Sequence, residues 1–280
     1  MNRIPDGTAA AHDRSVDVSI IMPCYNRGDT LLEAVESAVT QRGVAVEVLI
    51  VDDGSGRRTR AVIDSISHER VRVLRQANAG PSAARNAGIR NARGRYILPL
   101  DADDTLSPGV AKLGADVLDA QPKVGIVAGA TRIMGNPEVI PCAFDGIETM
   151  LPRNTILNTA MFRRADWEAV GGYPESLRMG EDWAFWMRVL SLGREVVVRP
   201  EVFFDYRRSS PQQATHSPNP LRVADAQNLV LREHAELYRE NFHLVVEQLI
   251  TTRAALAGYR RAYRPIDRAK AAIKTLLRLS

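Results

Sequence analysis

The sequence is poor in cysteine and contains no long apolar run. Its 280 residues include only two cysteines, Cys24 and Cys142, and neither belongs to a C-x-x-C pair. Two isolated cysteines exclude a disulfide framework and favour a reducing compartment. No stretch approaches the roughly 20 apolar residues that a spanning helix needs, so we expect no transmembrane segment.

The N-terminus also lacks the apolar core of a signal peptide. Residues 1–16 are mostly polar or small, and we expect them to form a flexible lead-in that carries no targeting sequence. The remaining composition, with 45% hydrophobic and 25% charged residues, is typical of a globular protein and argues against wholesale disorder.

A net excess of positive charge is found only at one end of the chain. The formal net charge is +4, but residues 253–280 hold eight Lys or Arg and one Asp, a net of +7. The rest of the chain therefore carries −3. Because the basicity is confined to the tail, it does not indicate a nucleic-acid-binding protein, and we expect no nucleic-acid partner.

Short β-branched runs alternate with helical patterns in the first hundred residues. This alternation predicts an α/β fold with a mostly parallel sheet and ligands bound beyond the carboxyl ends of its strands. The predicted strands and helices, in chain order, cover residues 18–22, 30–41, 46–55, 57–66, 71–76, 80–93 and 96–100.

The second half is less regular. A helix is predicted to begin near Glu181, because Trp183, Trp186, Met187 and Leu190 follow at helical spacing. From about residue 221 the chain is predicted to be helical to its end, with a break at Pro265. The other predictions are a strand over 124–134, a loop over 135–152, a strand and short helix within 159–175, a strand over 195–208 and a loop over 209–220.

Three aspartates follow the fourth predicted strand. Residues 96–105 read YILPLDADDT, so Asp101, Asp103 and Asp104 end a segment that we expect to be buried. A D-x-D pattern lets carboxylates converge on a hard cation such as Mg²⁺ or Mn²⁺, although a D-x-D alone is more often a solvated turn or helix cap. Its place at the end of an apolar strand in a βα series favours the metal.

Two further acidic motifs admit two interpretations each. In VDDGS, residues 51–55, Asp53 either meets a nucleobase or ribose or belongs to a turn with a helix cap. In GEDW, residues 180–183, Asp182 is either a general base facing a cleft or an acid favoured by the helix dipole. Trp183 either shapes an acceptor pocket or belongs to the core.

Taken in order, these motifs resemble the family-2 inverting glycosyltransferases of the GT-A fold. The resemblance covers roughly residues 17–208. It implies a GT-A domain over 17–220, with a nucleotide-binding half over 17–104 and an acceptor half over 105–220, followed by a basic helical extension over 221–280. The segments that carry it are VSIIMPCYNRGDTLLEAVESAVTQ, VEVLIVDDGS, NAGPSAARNAGIRNARGRYILPLDADD and GEDWAFWMRV.

The resemblance also implies a function. The donor would be a nucleotide-diphosphate sugar, with a UDP-sugar as the first choice, and the cofactor Mn²⁺ or Mg²⁺. The acceptor would be a saccharide or lipid-linked saccharide, in the synthesis of a surface polysaccharide or glycolipid. Two alternatives are a nucleotide-sugar-binding protein that has lost catalysis and a nucleotidyltransferase. PCYNRGDT, at the end of the first strand, lacks the Gly-rich loop and lysine that the latter needs.

Site residues carry over by matching motif. Asp182 would be the catalytic base. Asp103 would ligate the metal, with Asp104 as the alternative and His216 as a further ligand from the loop after residue 208. Arg207 and Arg208 are candidates for contacts to the diphosphate. The donor would be bound by Pro23, Tyr25, Asp53, Arg85, Asp101 and Asp103.

The basic tail leaves two interpretations open. Its residues Ile273, Leu276 and Leu277 are spaced for one apolar helix face, which suits an anionic membrane surface. The same pattern suits a solvated helix or one packed on a neighbouring subunit. We therefore expect a cytoplasmic protein that is either free or peripheral on the cytosolic face of the inner membrane.

Overall fold

A computed structural model describes residues 16–207, 220–247, 249–251 and 253–254. His216 and Arg208, the break expected at Pro265 and almost all of the basic tail lie outside the described residues. The described residues form an α/β structure with one mixed sheet, so the predicted fold class is confirmed.

The first half of the sheet is parallel, as predicted. Its strands are β1 (Val18–Cys24), β2 (Val46–Asp53), β3 (Val71–Gln76) and β4 (Tyr96–Pro99). They lie in the order β3-β2-β1-β4, and each neighbouring pair is parallel. Strands β1 and β2 are buried almost throughout because helices cover both faces, which explains their continuous apolar sequences.

Two hydrophobic cores lie on opposite faces of this sheet. Helices α1 (Leu31–Val39) and α2 (Arg57–Ser65) contribute to the first core, and α3 (Pro81–Arg90) contributes to the second. Alternate residues of one strand serve the two cores: Ile20 belongs to the first core and Ile21 to the second.

The second half departs from the parallel pattern. Strand β8 inserts between β4 and β6 and is antiparallel to both, whereas β9 is parallel to β6 and antiparallel to β5. Residues 135–152, predicted as a loop, contain β7 and a 3₁₀ turn at Ile147–Met150, so that prediction was too simple. The elements are β5 (Thr105–Leu106), α4 (Val110–Ala120), β6 (Val124–Ile133), β7 (Val139–Ile140), β8 (Met161–Arg163), α5 (Arg164–Ala169), α6 (Glu181–Ser191) and β9 (Glu195–Tyr206).

Two helices near the end of the described residues pack onto the second core. They are α7 (Pro220–Glu233) and α8 (Ala235–Glu240), interrupted at His234. Val230 and Tyr238 are buried together with side chains of α6. None of the helices in the described ranges combines the length and apolarity needed to cross a membrane.

Candidate active site

The carboxyl ends of β2, β1 and β4 lie side by side and bring the predicted polar groups to one edge. The loops after β1 and β2 are joined by Asn26, whose Oδ1 accepts from the Gly56 amide at 2.8 Å and whose own amide donates to Ser55 Oγ at 3.2 Å. Asn26 has a φ of 57°, a left-handed conformation that asparagine tolerates better than most residues. The predicted convergence of the strand ends is therefore present.

Pro23 and Tyr25 lie at the end of β1. Pro23 is half-buried in the strand, opposite Val51 of β2. The Tyr25 side chain is 53% exposed, which is unusual for a large aromatic residue beside a sheet edge. An exposed aromatic face can stack on a planar ring, so this geometry is compatible with the predicted contact to a nucleobase.

Asp53 is buried and holds the loop that leads into α3. One carboxylate oxygen accepts from Gln76 Nε2 at 2.7 Å and the Ala79 amide at 2.8 Å, and the other from the Gly80 amide at 2.9 Å. A carboxylate has about four acceptor positions, so one position is left for a ligand. The nucleobase contact of Asp53 stays a prediction, whereas its role in the loop is observed.

Arg85 joins the two halves of the site. Its buried guanidinium donates from Nη2 to Asp101 at 2.8 Å and from Nη1 to Glu181 at 2.7 Å. Asn158, oriented to satisfy both of its amide atoms, accepts from Arg85 Nε at 3.3 Å and Nη2 at 3.1 Å. Burial alone would lower the pKa of Arg85, but the charges of Asp101 and Glu181 raise it above its usual value.

The partners of the Arg85 guanidinium could not be predicted from the sequence. The prediction that it approaches the nucleotide stays a prediction, because the observed partners of its guanidinium belong to the protein. Arg85 contacts both Glu181 and Asp101, so it holds the residue that precedes Asp182 beside the acid cluster, which consists of Asp101, Asp103 and Asp104 after β4.

The three aspartates after β4 have different environments. The Asp101 side chain is partly exposed, Asp103 lies 3.3 Å from Arg27 Nε, and Asp104 is buried and accepts from the Arg207 amide at 2.9 Å. Burial first, and then the charge of Asp101, raises the pKa of Asp103. The same causes raise the pKa of Asp104 to about 8.

Burial is the main cause of the raised pKa values of Asp103 and Asp104, and the neighbouring charge of Asp101 adds to it. Within the part of the chain that the structure describes, no three His, Cys, Asp or Glu side chains are grouped closely enough to enclose a metal ion. The oxygen donors suit Mg²⁺ or Mn²⁺ chemically, but ligands from a bound substrate or water would have to complete the coordination. Asp103 is the more exposed of the two candidate ligands, with 22% of its side chain accessible.

Arg207 fixes the end of β9 against the acid cluster. In addition to its amide contact with Asp104, its Nε donates to the Asp103 carbonyl at 3.0 Å, and its guanidinium pairs with Glu33. Its contact with a diphosphate stays a prediction.

Asp182 lies in the first turn of α6, as predicted, and faces a cavity. One oxygen accepts from Asn154 Nδ2 at 2.9 Å and the other from the Trp183 amide at 2.8 Å. Burial and the neighbouring charge of Glu181 raise the pKa of Asp182 to about 7. A carboxylate with such a pKa is suited to accept a proton near neutral pH.

The cavity has a volume of about 470 Å³ and connects Asp182 with the acid cluster. Asp101, Asp104 and Asp182 line it together, with walls from β6, β9 and the segments 140–143 and 153–159. Sequence reasoning missed Asn154 and assigned no role to Asn158 and Thr159, which also line the cavity. No local pattern marks these residues, because their position depends on how β8 enters the sheet.

Of the two interpretations of Trp183, the core assignment is correct. Its side chain is buried in the second core, and its Nε1 donates to the Met150 carbonyl at 2.8 Å. Thr30 occupies the N-cap position of α1, but its side chain makes no capping hydrogen bond. Its hydroxyl donates to the Ala102 carbonyl at 2.9 Å and so joins α1 to the acid cluster.

Comparison with known proteins gives consistent matches. The family model for glycosyl transferase family 2 matches residues 19–168. The succinoglycan biosynthesis protein ExoO of Rhizobium meliloti is 32% identical over 218 residues, which are 70% of this chain and 62% of ExoO. The chondroitin synthase of Escherichia coli is 30% identical over 183 residues, 63% of this chain and 27% of the synthase. The chain thus spans less than two thirds of the length of either relative.

A solved structure shares the fold. The complex of S. aureus TarS 1-349 with UDP-GlcNAc superposes with a TM-score of 0.68 at 20% identity, covering 84% of this chain and 72% of that chain. At this identity the likeness shows the fold alone.

Proposed function

The chain belongs to glycosyl transferase family 2, and we propose that it transfers a sugar from a UDP-sugar or similar nucleotide-diphosphate sugar to a saccharide hydroxyl, with inversion. The observation that carries the proposal is the shared cavity of Asp101, Asp104 and Asp182. Such a cavity suits a reaction in which a base removes a proton from the acceptor hydroxyl while negative charge develops on a leaving group near the acid cluster. Similarity to TarS in its complex with UDP-GlcNAc, and to proteins named for succinoglycan and chondroitin synthesis, supports the substrate class.

Asp182 acts as the general base. It takes the proton of the acceptor hydroxyl while that oxygen attacks the anomeric carbon, and the bond to the diphosphate breaks with its electron pair. Asn154 orients the carboxylate through its 2.9 Å hydrogen bond. One displacement from the face opposite the leaving group inverts the anomeric centre and needs no nucleophile from the enzyme.

Asp101 and Asp103 lie on the leaving-group side. A diphosphate bound beside them would add to their negative charge, and a divalent cation would balance it in addition to Arg85 and Arg27. Mn²⁺ or Mg²⁺ bound through Asp103 would supply Lewis-acid stabilisation of the departing diphosphate. Arg85 pairs with Asp101 and also with Glu181, the first residue of α6. These two ion pairs hold the beginning of α6 beside Asp101.

A transfer assay tests the proposal. UDP release from UDP-GlcNAc and other UDP-sugars is measured with Mn²⁺ and a panel of saccharide acceptors, first for the wild type and then for Asp182→Asn. We expect turnover to fall about 10²- to 10⁴-fold in the variant, because the base contributes about that factor, while UDP affinity changes little. The control is Glu168→Gln, because Glu168 is exposed, pairs with Arg164 of its own helix and does not line the cavity. Asp166 is unsuitable because it is buried and its ion pair with Arg194 joins distant parts of the chain.

The alternative of a binding protein without catalysis has a distinct outcome. Such a protein would bind UDP with Mn²⁺ but release none from any donor, and Asp182→Asn would change nothing. A variant with wild-type turnover contradicts the assignment of Asp182.

A further inference from the structure

We propose that helices α7 and α8 hold the catalytic base in its reactive position, and that Tyr238 is the positioning residue that links α8 to Asp182. The inference rests on the proposed function, since it takes Asp182 as the base. It follows from two contacts of these helices, one with the beginning of α6 and one with the segment that carries Asn154. Both helices lie beyond residues 19–168, which the family model matches.

Helix α7 packs against both ends of α6. At the beginning of α6, a Cβ on Gly180 would lie 2.7 Å from the Cβ of Ala226, so α7 approaches this point as closely as a glycine allows. Near the end of α6, the guanidinium of Arg188 donates to both carboxylate oxygens of Glu233, at 2.7 and 2.6 Å. Gly180 immediately precedes the first turn of α6, which contains Asp182. The position of this turn is therefore fixed by α7.

Tyr238 of α8 is buried and holds the chain that leads to Asn154. Its hydroxyl donates to the Leu151 carbonyl at 2.5 Å, and 5% of the residue is exposed. Burial raises the pKa of the Tyr238 hydroxyl to about 12, so the group remains a donor near neutral pH. Because Leu151 is also buried, loss of this donor would leave its carbonyl without a partner.

The segment held by α8 ends at the side chain that contacts the base. Three residues after Leu151, Asn154 donates to Asp182 at 2.9 Å. On the preceding residue, the Met150 carbonyl accepts from Trp183 Nε1 of α6 at 2.8 Å. Two consecutive carbonyls are thus hydrogen-bonded by two different helices, and the segment is held between α6 and α8.

A general base depends on such support, because a displacement of about 1 Å can cost about 10²-fold in rate. Residues 151–160 form no helix or strand, so their position depends on contacts with their neighbours. Without the contact of α8, the segment that orients Asp182 would be held from the side of α6 alone. The alternative is that Tyr238 only anchors α8 to the core, in which case its loss would lower stability without changing the rate.

The first test removes only the hydroxyl of Tyr238. Transfer by Tyr238→Phe is measured with the UDP-sugar and acceptor that the wild type uses, and UDP affinity is measured by calorimetry with Mn²⁺. We expect kcat to fall about tenfold because the base is displaced, whereas the KM for the donor and the affinity for UDP should change less than about twofold.

Tyr96→Phe is the matched control. Tyr96 is also buried, and its hydroxyl donates to Asp119 at 2.6 Å. It lies at the beginning of β4, whereas the acid cluster follows the end of that strand. Its kcat should therefore stay at the wild-type value. Circular dichroism and melting curves check that each variant folds.

A double variant tests whether the effect of Tyr238 passes through Asn154. Asn154→Ala removes the contact with Asp182, so adding Tyr238→Phe to it should lower kcat by less than about twofold further. Losses that multiply in the double variant would show that Tyr238 does not act through Asn154.

The contact with α7 is tested by rescue. Gly180→Ala should lower kcat, because its methyl group meets the Cβ of Ala226 and because alanine is strained at the φ of 73° observed here. Combining it with Ala226→Gly keeps the strain but removes the steric clash, so kcat should recover at least about threefold. No recovery would contradict the role of α7.

Hydrogen exchange provides a measurement that does not depend on catalysis. The Ile156 amide donates to Asn154 Oδ1 at 3.2 Å, and the Trp183 amide donates to the base at 2.8 Å. Both amides should exchange at least about fivefold faster in Tyr238→Phe, and at the wild-type rate in Tyr96→Phe.

Three further results would overturn the inference. They are a wild-type kcat in Tyr238→Phe, an equally large loss of kcat in Tyr96→Phe, and unchanged exchange of both amides in Tyr238→Phe. Failure of the proposed function is seen separately, as the absence of UDP release by the wild type with every donor and acceptor. The exchange rates test the link between α8 and Asp182 whatever that outcome.

Discussion

Glu181 and Asp182 are neighbours in the first turn of α6, yet their side chains have different partners. Glu181 forms an ion pair with Arg85 at 2.7 Å, whereas Asp182 accepts only from uncharged donors. This difference leaves Asp182 with a pKa of about 7, raised by burial and by the charge of Glu181. The GEDW motif allowed a base to be predicted from the sequence. Which of its two acids forms an ion pair depends on the position of Arg85, and that position became known only from the structure.

The first prediction concerns the pH dependence of transfer. Because the pKa of Asp182 is raised, the base is protonated and inactive below about pH 7, so kcat/KM should rise as pH increases through that value. Glu181→Gln removes a charge that raises this pKa, so the rise should move to lower pH. Glu168→Gln, on α5, should not move it. A profile that is flat from pH 5.5 to 8 would contradict the assignment.

The second prediction concerns stability and Asp104. Its pKa is about 8 in the folded protein, whereas an aspartate in an unfolded chain has a pKa of about 3.9, so the folded state retains a proton that the unfolded chain loses. The wild type should therefore lose stability as pH rises from about 4 to 8. Asp104→Asn has no charge to bury, and its side-chain oxygen can still accept from the Arg207 amide.

The measurement is a pair of melting curves at pH 5 and pH 8.5 in the presence of chelator. From pH 5 to pH 8.5, we expect the Tm of Asp104→Asn to rise relative to that of the wild type by about 2–8 °C, since a change of about 1–2 kcal/mol shifts Tm by about 2–4 °C per kcal/mol in a chain of this size. A Tm difference that does not change with pH would show that Asp104 carries no raised pKa.

At the scale of elements, α3 lies unusually close to the sheet. A Cβ on Gly88 would lie 2.6 Å from Ile21 Cγ2 and 3.1 Å from Val51 Cγ2. Glycine is therefore required here by the close approach of a helix to β1 and β2. The small residues of α3 let the helix lie against the sheet. Arg85, on the same helix, is thereby brought within reach of Asp101, which follows β4.

The third prediction follows from this contact. Gly88→Ala gains about 1 kcal/mol in helix propensity, but overpacking in a close-packed core costs typically about 1–3 kcal/mol. We expect the second effect to dominate and the free energy of unfolding in urea to fall by about 1–2 kcal/mol. Arg90→Ala, on the same helix but exposed, should be close to neutral. A stabilised Gly88→Ala would mean that α3 is free to move away from the sheet.

Elements of the first half were predictable because each depends on local sequence. The strands β1 to β4 and the helices between them are short periodic segments, and their bounds differ from the predicted ones by only a few residues. Strand β8 has only three residues, Met161–Arg163, and pairs antiparallel with β4 and β6. The presence of a strand near this point was predicted, but its partners depend on long-range packing.

At the scale of the whole molecule, the site lies where the two halves of the sheet meet. Asp101 follows β4, Asp182 lies in α6 and Asn154 lies in the segment that leads to β8, and no spacing in the sequence relates them. The sequence therefore predicted the acids as separate motifs, with their grouping taken from a family resemblance. The cavity and the contacts of Arg85 and Asn158 became evident only from the fold.

The central claim is that a divalent cation and a diphosphate together balance the carboxylates at the end of β4. The most direct test is calorimetric titration of UDP into the wild type and Asp103→Asn, each with Mn²⁺ and with chelator. The account predicts that Mn²⁺ tightens UDP binding to the wild type at least about tenfold, or about 1.4 kcal/mol, and that Asp103→Asn largely removes this gain. Equal UDP affinity with Mn²⁺ and with chelator in the wild type would contradict it.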